Sequence, residues 1–302
     1  MHRLERKFFV SSHMRTKVFP ILLILPAILP LVLIIVLPAI LTIQTSFQRS
    51  TFGLSDEFVG FRNYIEIFKN KIFISATLNT VMFSFLVVIF EIGIGVLTAV
   101  VMSTQFKMQK MIISLIMIPY AVSEVVAVII WKYMLDPDVG IVNYFLVRIL
   151  GMETFNWAGN PVQAWIVIIL LRVWINFPFG FLIIYSSIIG ISQELYESAY
   201  IDGATNLQSF RFITFPLAKP SIMVATIFAF IFAFRDFATV WLLTRGGPMN
   251  STQLLSTLLY KQAFSFWEFG LASATAIVMT IFTFAIALFY LNSMRKQMFG
   301  QH

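Results

Sequence analysis

Five ionisable side chains, Glu91, Glu124, Arg172, Arg235 and Asp236, lie inside stretches that are otherwise apolar. An ionised group at the centre of a bilayer costs about 2.5–3.5 kcal/mol on insertion scales, so each should face protein or a water-filled cavity. Guanidinium and amide groups can bond the hydroxyls of a polar solute while an aromatic ring stacks on its C–H faces. Glu124, Arg172, Trp174, Asn176 and Arg235 are therefore candidates for the lining of a solute pathway. The alternative is that these groups only pin one helix to another. With a rise of about 1.5 Å per residue, Arg172 and Arg235 both fall about 12 Å from one end of their segments and Glu124 within a turn of that level. Glu124 and Arg172 can thus pair across two helices, whereas Arg235 and Asp236 point in different directions and need not pair with each other.

Other chemistries find little support. Cysteine is absent and the three histidines, His2, His13 and His302, lie near the termini, which excludes disulfides and argues against a thiolate or histidine metal site. Neither a nucleophile–base pattern nor H-E-x-x-H occurs, so no catalytic residue and no metal ligand is assigned. There is no G-x-x-x-x-G-K-[ST] phosphate loop, so this chain does not hydrolyse ATP by that machinery. A net charge of +7 could attract nucleic acid, but most of the bases flank apolar runs instead of interleaving with stacking aromatics.

The chain that must position these groups is 59% hydrophobic and 12% charged, with 33 Phe among 302 residues, a composition of integral membrane proteins. A bilayer core needs about 20 apolar residues in helix. Six segments qualify, 18–43, 76–102, 111–135, 164–189, 221–243 and 271–293, and strand-like alternation is missing. The expected fold is an all-α polytopic membrane protein with six transmembrane helices. Val18–Gln48 is too long for a signal-peptide core and is read as a retained span. Pro26, Pro30, Pro38 and Pro178 predict kinks. Lys and Arg are concentrated in the N-terminal tail and the short loops, which places both termini in the cytoplasm and the long loops 44–75, 136–163 and 244–270 outside. Trp157 and Trp267 in these loops serve an interfacial belt or a docking surface. Met117, Met223 and the many Phe read as packing or lipid-facing residues. The domain reading is a tail 1–17, a first span with its outer loop 18–75, a five-helix core 76–294 containing the cytoplasmic loop 190–220, and a tail 295–302.

That loop, which includes ESAYIDGATNLQSFRFITFPLAKP from Glu197 to Pro220, has its own local order. Ser192 can cap a helix through Gln193–Ile201, with Glu194 and Glu197 near its positive end. Asp202-Gly203 makes a turn, and Thr205 with Gln208 has capping-box spacing for a second helix carrying Leu207, Phe210 and Ile213. Pro216 is expected to stop it and Pro220 to open the fifth span. Small residues at the bend, Ser198, Ala199, Gly203 and Ala204, permit close approach of another backbone. The element is an interfacial connector or a docking site for a cytosolic partner.

Glu197-Ser198-Ala199, then Asp202-Gly203-Ala204, then Phe210, Phe215, Pro216 and Pro220 resemble the EAA loop of permease subunits from binding-protein-dependent ABC importers. Ser198 stands where alanine is usual. Val59-Gly60-Phe61-Arg62-Asn63-Tyr64, Ile118-Pro119-Tyr120 and Leu243-Thr244-Arg245-Gly246-Gly247-Pro248, followed by Tyr260 and Ala263-Phe264, resemble the carbohydrate-uptake branch. The resemblance implies the type I importer permease fold in a bacterial or archaeal cytoplasmic membrane. It implies that Glu197, Ser198, Ala199, Asp202, Gly203, Ala204, Phe210 and Pro216 couple the chain to a separate ATPase. It further implies a second related permease, two ATPase subunits holding ATP and Mg, an extracytoplasmic binding protein, and a sugar or oligosaccharide as solute. From the residues alone a homodimer remains open, as do glycerol-phosphate-type or other anionic solutes. An ion-coupled carrier using Glu91 and Glu124 fits less well, because no inverted repeat is evident.

Overall fold

The computed structural model describes residues 19–53, 56–104 and 106–299; the N-terminal tail with His2 and His13, and the end of the C-terminal tail with His302, lie outside the described residues. The described chain is helical apart from loops and one short hairpin. In order it runs α1 (Phe19–Leu31), α2 (Leu37–Ser46), β1 (Gln48–Arg49), β2 (Glu57–Phe58), α3 (Arg62–Lys69), α4 (Lys71–Ser103), α5 (Gln109–Ala121), α6 (Glu124–Met134), α7 (Ile141–Tyr144), α8 (Pro161–Ile188), α9 (Gln193–Ile201), α10 (Asn206–Ser209), α11 (Phe215–Phe234), α12 (Ala238–Leu243), α13 (Leu255–Tyr260) and α14 (Phe269–Phe299). The hairpin pairs Gln48 with Phe58 and Arg49 with Glu57, antiparallel.

The spans cross much as the hydropathy predicts, with two corrections. Five helices are long and apolar enough to cross a membrane, or six if the pair α5 and α6, bent by 94°, counts as one span. The expected single span 111–135 is thus broken at Val122 and Ser123, both extended (ψ 138° and 131°). The expected span 221–243 is also broken, since α11 ends at Phe234 and the chain turns through Arg235–Phe237 before α12. Breaks at membrane depth are tolerated where other protein groups meet the freed polar atoms.

A third correction concerns Pro216, which does not stop the coupling helix. Residues Asn206–Phe234 form one helix of 29 residues. The turn Phe210–Thr214 is wound as a π-helix, with the Phe215 N–H donating to the Phe210 carbonyl. The wide turn moves carbonyls away from the ring of Pro216, which has no N–H to offer. The same device recurs in the first span. Val32–Val36 is a π-turn, the Leu37 N–H donates to the Val32 carbonyl, and Pro38 follows.

The core sits where α4, α8 and α11 meet. Gly95 of α4 lies so close to α8 that an added Cβ would be 3.3 Å from the Phe181 backbone nitrogen. Phe181, Ile184 and Ala225 are buried in the cluster at this contact, and Phe83, Val87, Ile168, Leu171 and Ala233 in a second cluster of the same three helices. The first span buries nothing over Ile28–Ser46 except at its last turn, where Ser46 is covered. Below, the end of the molecule that carries the hairpin and α13 is called the long-loop end, and the end that carries α9 the short-loop end.

Candidate functional site: a capped helix pair and a charged cluster at two broken helices

At the short-loop end, α9 stands clear of the body with no buried residue. Its C-terminus closes as a Schellman motif: the Ala204 N–H donates to the Ala199 carbonyl (2.9 Å) and the Gly203 N–H to the Tyr200 carbonyl (3.0 Å). The motif requires a left-handed residue, and Gly203 supplies it with φ +79°. The next residues form the predicted capping box, with the Thr205 N–H donating to Gln208 Oε1 (2.7 Å) and the Gln208 N–H to Thr205 Oγ1 (3.4 Å). Ser192 occupies the N-cap of α9, as expected, but its side chain makes no capping bond. Tyr196 bonds Thr214 (2.9 Å) and Tyr200 bonds Asn206 (2.5 Å), so α9 is tied to the start of the long helix. Glu197 accepts from Gln193 Nε2 (2.9 Å) and is exposed, and so are Leu195, Ile201 and Leu207. Ser198 and Asp202 are exposed, Ala199, Ala204 and Phe210 half-buried, and Pro216 exposed beside them. These residues lie together on the helix pair α9–α10 and the start of the helix that follows it.

The second constellation joins the two broken helices to α8. Arg172 Nη1 lies 3.0 Å from Glu124 Oε1 and 3.1 Å from Asp236 Oδ2. The Thr239 hydroxyl lies 2.9 Å from each of the same two carboxylate oxygens and donates its one proton to either. The Ser256 hydroxyl donates to the Asp236 carbonyl. Arg172 and Asp236 are buried, at 8% and 0% side-chain exposure, while Glu124 keeps 36% and is the face of the cluster open to solvent or solute. Arg172 Nε and Asp236 Oδ1 have no hydrogen-bond partner among the described residues. The predicted Glu124–Arg172 pair is therefore present. Asp236, singled out only as an ionisable group within a span, and Thr239, not singled out at all, complete it; their approach depends on the turn at 235–237.

The remaining candidates separate. Asn176 is buried and donates from Nδ2 to the Arg172 carbonyl (3.3 Å), bracing α8 behind the cluster. Trp174 packs against Trp131, ring centroids 5.7 Å apart. Arg235 is exposed and lines a groove of about 710 Å³ between α11, α13 and α14. Glu91 is buried on α4, and its Oε1, which has no partner among the described residues, faces Gly180 of α8.

Toward the short-loop end from the cluster lies an aromatic wall that sequence reasoning missed. Tyr120 stacks on Phe179 (5.7 Å), and Phe179 meets Phe228 and Phe232 at 5.9 Å each. Phe228 and Phe232 precede Asp236 by eight and four residues, Phe179 follows Arg172 by seven, and Tyr120 precedes Glu124 by four. Only the step from Arg172 to Phe179 is a helical interval within one helix; the other rings and charges are separated by the breaks at Val122–Ser123 and Arg235–Phe237. Tyr120, Phe228 and Phe232 remain 40–44% exposed, so the wall has an open face.

The long-loop end is held by buried amides. Asn63 donates to the carbonyls of Ser46 (2.8 Å) and Gln48 (2.9 Å), and Gly270 fits against Gln48 because it lacks a Cβ. Thr51 bridges Glu268, and Phe52 packs on Trp267 at 5.1 Å. Asn79 of α4 donates to the carbonyls of Ser251 and Gln253. Asp136 caps a turn by accepting from the N–H groups of Val139 and Asp138, which hold its carboxyl below the usual range.

The described residues form a polytopic helical body with broken spans and a projecting helix pair. Residues 91–297 match the family described as "Binding-protein-dependent transport system inner membrane component", and the chain belongs to that family. It is 34% identical over 272 residues to the trehalose/maltose transport system permease protein MalF of Thermococcus litoralis, covering 90% of this chain and 92% of the relative. It is 35% identical over 283 residues to the sulfoquinovosyl glycerol transport system permease protein SmoG of Agrobacterium fabrum, covering 93% and 92%. A chain from the crystal structure of a bacterial alginate ABC transporter, in complex with its alginate pentasaccharide-bound periplasmic protein, superposes with a TM-score of 0.83 at 23% identity over 96% of this chain and 98% of that one. The chain is a multi-pass permease subunit of a binding-protein-dependent ABC transporter, a non-catalytic transport component.

Proposed function

We propose that the chain is the membrane-spanning half of an ATP-driven importer for a sugar or oligosaccharide delivered by an extracytoplasmic binding protein. The observation that carries this reading is the exposed α9–α10 pair, capped at both sides of Gly203 and continuous with α11. Its exposed Leu195, Ile201 and Leu207 and the carboxylate of Glu197 suit docking into a groove of a separate ATPase, with Glu197 making charge-assisted bonds. Ser198, Ala199, Asp202, Gly203, Ala204, Phe210 and Pro216 shape that surface. ATP and Mg would be held by two such ATPase subunits, and a second permease would supply the other half of the pathway. On this reading the short-loop end and both termini face the cytoplasm, the long-loop end receives the binding protein, and the membrane is the bacterial or archaeal cytoplasmic one.

The solute path follows the open face of Glu124 and the aromatic wall of Tyr120, Phe179, Phe228 and Phe232. Rings offer faces to sugar C–H groups, and the carboxylate accepts from hydroxyls. Arg172 and Asn176 hold this face in place, with Trp174 behind them. The curated relatives named above carry trehalose, maltose and sulfoquinovosyl glycerol in their names, which supports a carbohydrate cargo. Arg172 is already engaged by two carboxylates, so an anionic or glycerol-phosphate solute would need another cation, such as the exposed Arg235.

In reconstituted vesicles, Glu197→Lys and Gly203→Pro should leave the complex inserted while ATP hydrolysis no longer drives uptake. Normal coupled transport by both variants would refute the docking assignment. The cargo is tested by co-purifying the binding protein and asking which of a panel of disaccharides, oligosaccharides, sugar acids and phosphorylated glycerols stimulates ATPase activity through it.

A further inference from the structure

Arg235 is the cation that the charged cluster leaves out. Its neighbour Asp236 is buried against Arg172, whereas Arg235 is exposed and lines the groove between α11, α13 and α14. It makes no salt bridge among the described residues, and no Asp or Glu stands among the residues that line the groove. An ionised group at membrane depth is costly, so one with no internal partner asks for a counter-charge from outside the chain.

The groove, about 710 Å³, lies within the range of small-molecule sites, about 300–1,000 Å³. Thr280 and Thr283 of α14 line it, and their hydroxyls donate back to the carbonyls of Ala276 and Met279 (2.8 Å each), which leaves oxygen lone pairs for the hydroxyl protons of a solute. A ladder of four rings reaches it from the long-loop end. Phe264 is 57% exposed and lies 4.9 Å from Tyr260. Tyr260 lies 4.5 Å from Trp241 and 4.9 Å from Phe237, and Phe237 stacks on Trp241 at 5.7 Å with the planes 18° apart. Phe237 and Tyr260 line the groove itself. The negative faces of such rings attract the C–H groups of a sugar and repel an anion, so an anionic group has only the guanidinium to turn to.

We propose that this groove is a subsite for an acidic saccharide, with the solute's carboxylate, sulfonate or phosphate on Arg235 and its sugar rings on Tyr260 and Phe237. The inference rests on the sugar-importer reading above and deepens it by giving the cargo a negative charge. The planar N–H fork of arginine takes two oxygens of such a group at once, which the point charge of a lysine does not. A carboxylate from another chain would also neutralise Arg235, but it would leave the ring ladder and the threonine oxygens without a role.

The test uses the complete transporter with its binding protein in vesicles, and pairs of saccharides that differ only in a carboxylate or a hydroxymethyl at C6, such as digalacturonate and galactobiose, beside the panel above. The saccharide carried best should be an acidic one. Arg235→Gln should lower its uptake at sub-saturating concentration roughly tenfold or more, as expected when a charge-assisted pair is lost, and Arg235→Lys by less. The thermal midpoint and the yield of assembled transporter should not fall in either variant. If a neutral saccharide is carried best, or if Arg235→Gln carries the acidic one undiminished, the subsite is overturned while the sugar reading stands. A lower midpoint or yield in Arg235→Gln places the guanidinium in a structural pair with another chain or a lipid phosphate, and overturns the subsite as well. If no saccharide is carried, the sugar reading and the subsite fall together.

Discussion

At the scale of single residues, the cluster around Arg172 separates energetic roles that the sequence presents as equivalent. One guanidinium nitrogen serves both Glu124 and Asp236, so removing it leaves two carboxylates facing each other at membrane depth. Breaking a buried ion pair by deleting one partner costs about 3–5 kcal/mol, whereas exposed partners contribute about 1 kcal/mol or less. Arg172→Ala should therefore lower the thermal unfolding midpoint of the purified protein strongly. Glu124→Gln, at a side chain 36% exposed and with its hydrogen-bonding capacity kept, should change it little while altering uptake. Equal midpoint losses in the two variants would contradict this division. The Glu124–Arg172 pair was legible from depth alone, by counting residues from the segment ends. Asp236 was not, because it reaches the cluster only when the chain leaves helical geometry at Arg235.

At the scale of elements, hydropathy found all six apolar segments but not the breaks within two of them. A window of about 20 residues averages over Val122-Ser123 and over Arg235–Phe237, so the text of a broken span reads as that of a whole one. The aromatic wall was hidden for a related reason. Helices apolar on every side carry no period that says which face meets protein, and Phe228 and Phe232 read like any lipid-facing Phe. The helix caps, by contrast, depend on a few polar residues at fixed spacing, and Thr205, Gln208 and Gly203 were placed correctly. Pro216 was misjudged because a π-turn can absorb a proline that an α-turn would reject. Pro216→Ala supplies the missing N–H and removes the reason for that turn. Loss of the turn's extra residue would rotate α9 by about 100° relative to α11. Helix content by circular dichroism should stay unchanged while uptake per ATP hydrolysed falls; retained coupling would show that the π-turn is incidental.

At the scale of the whole molecule, the described chain is well packed on one side and bare on the other. The first span is exposed along most of its length, and a groove of about 710 Å³ runs along α14, as suits one part of a larger body. What fixes the long-loop end is a small set of buried amides. Asn63→Ala would remove two hydrogen bonds to main-chain carbonyls, worth about 2–3 kcal/mol together. It should loosen the hairpin against Trp267–Gly270, visible as faster hydrogen exchange at Phe52 and Gly270, whose N–H groups bond across that contact. Unchanged exchange would place the anchor elsewhere.

The helix from Asn206 to Phe234 also has a mechanical meaning. It is a pushrod of 29 residues, about 43 Å long, with the projecting pair at one tip and the joint at Arg235–Phe237 at the other. A tilt of about 5° pivoted at one tip would sweep the other through about 4 Å, more than the 3.1 Å that separates Arg172 from Asp236. On the proposed coupling role, a nudge of that size at the projecting pair would match the span of an ion pair, and the charged cluster would act as a catch at the far end of the rod.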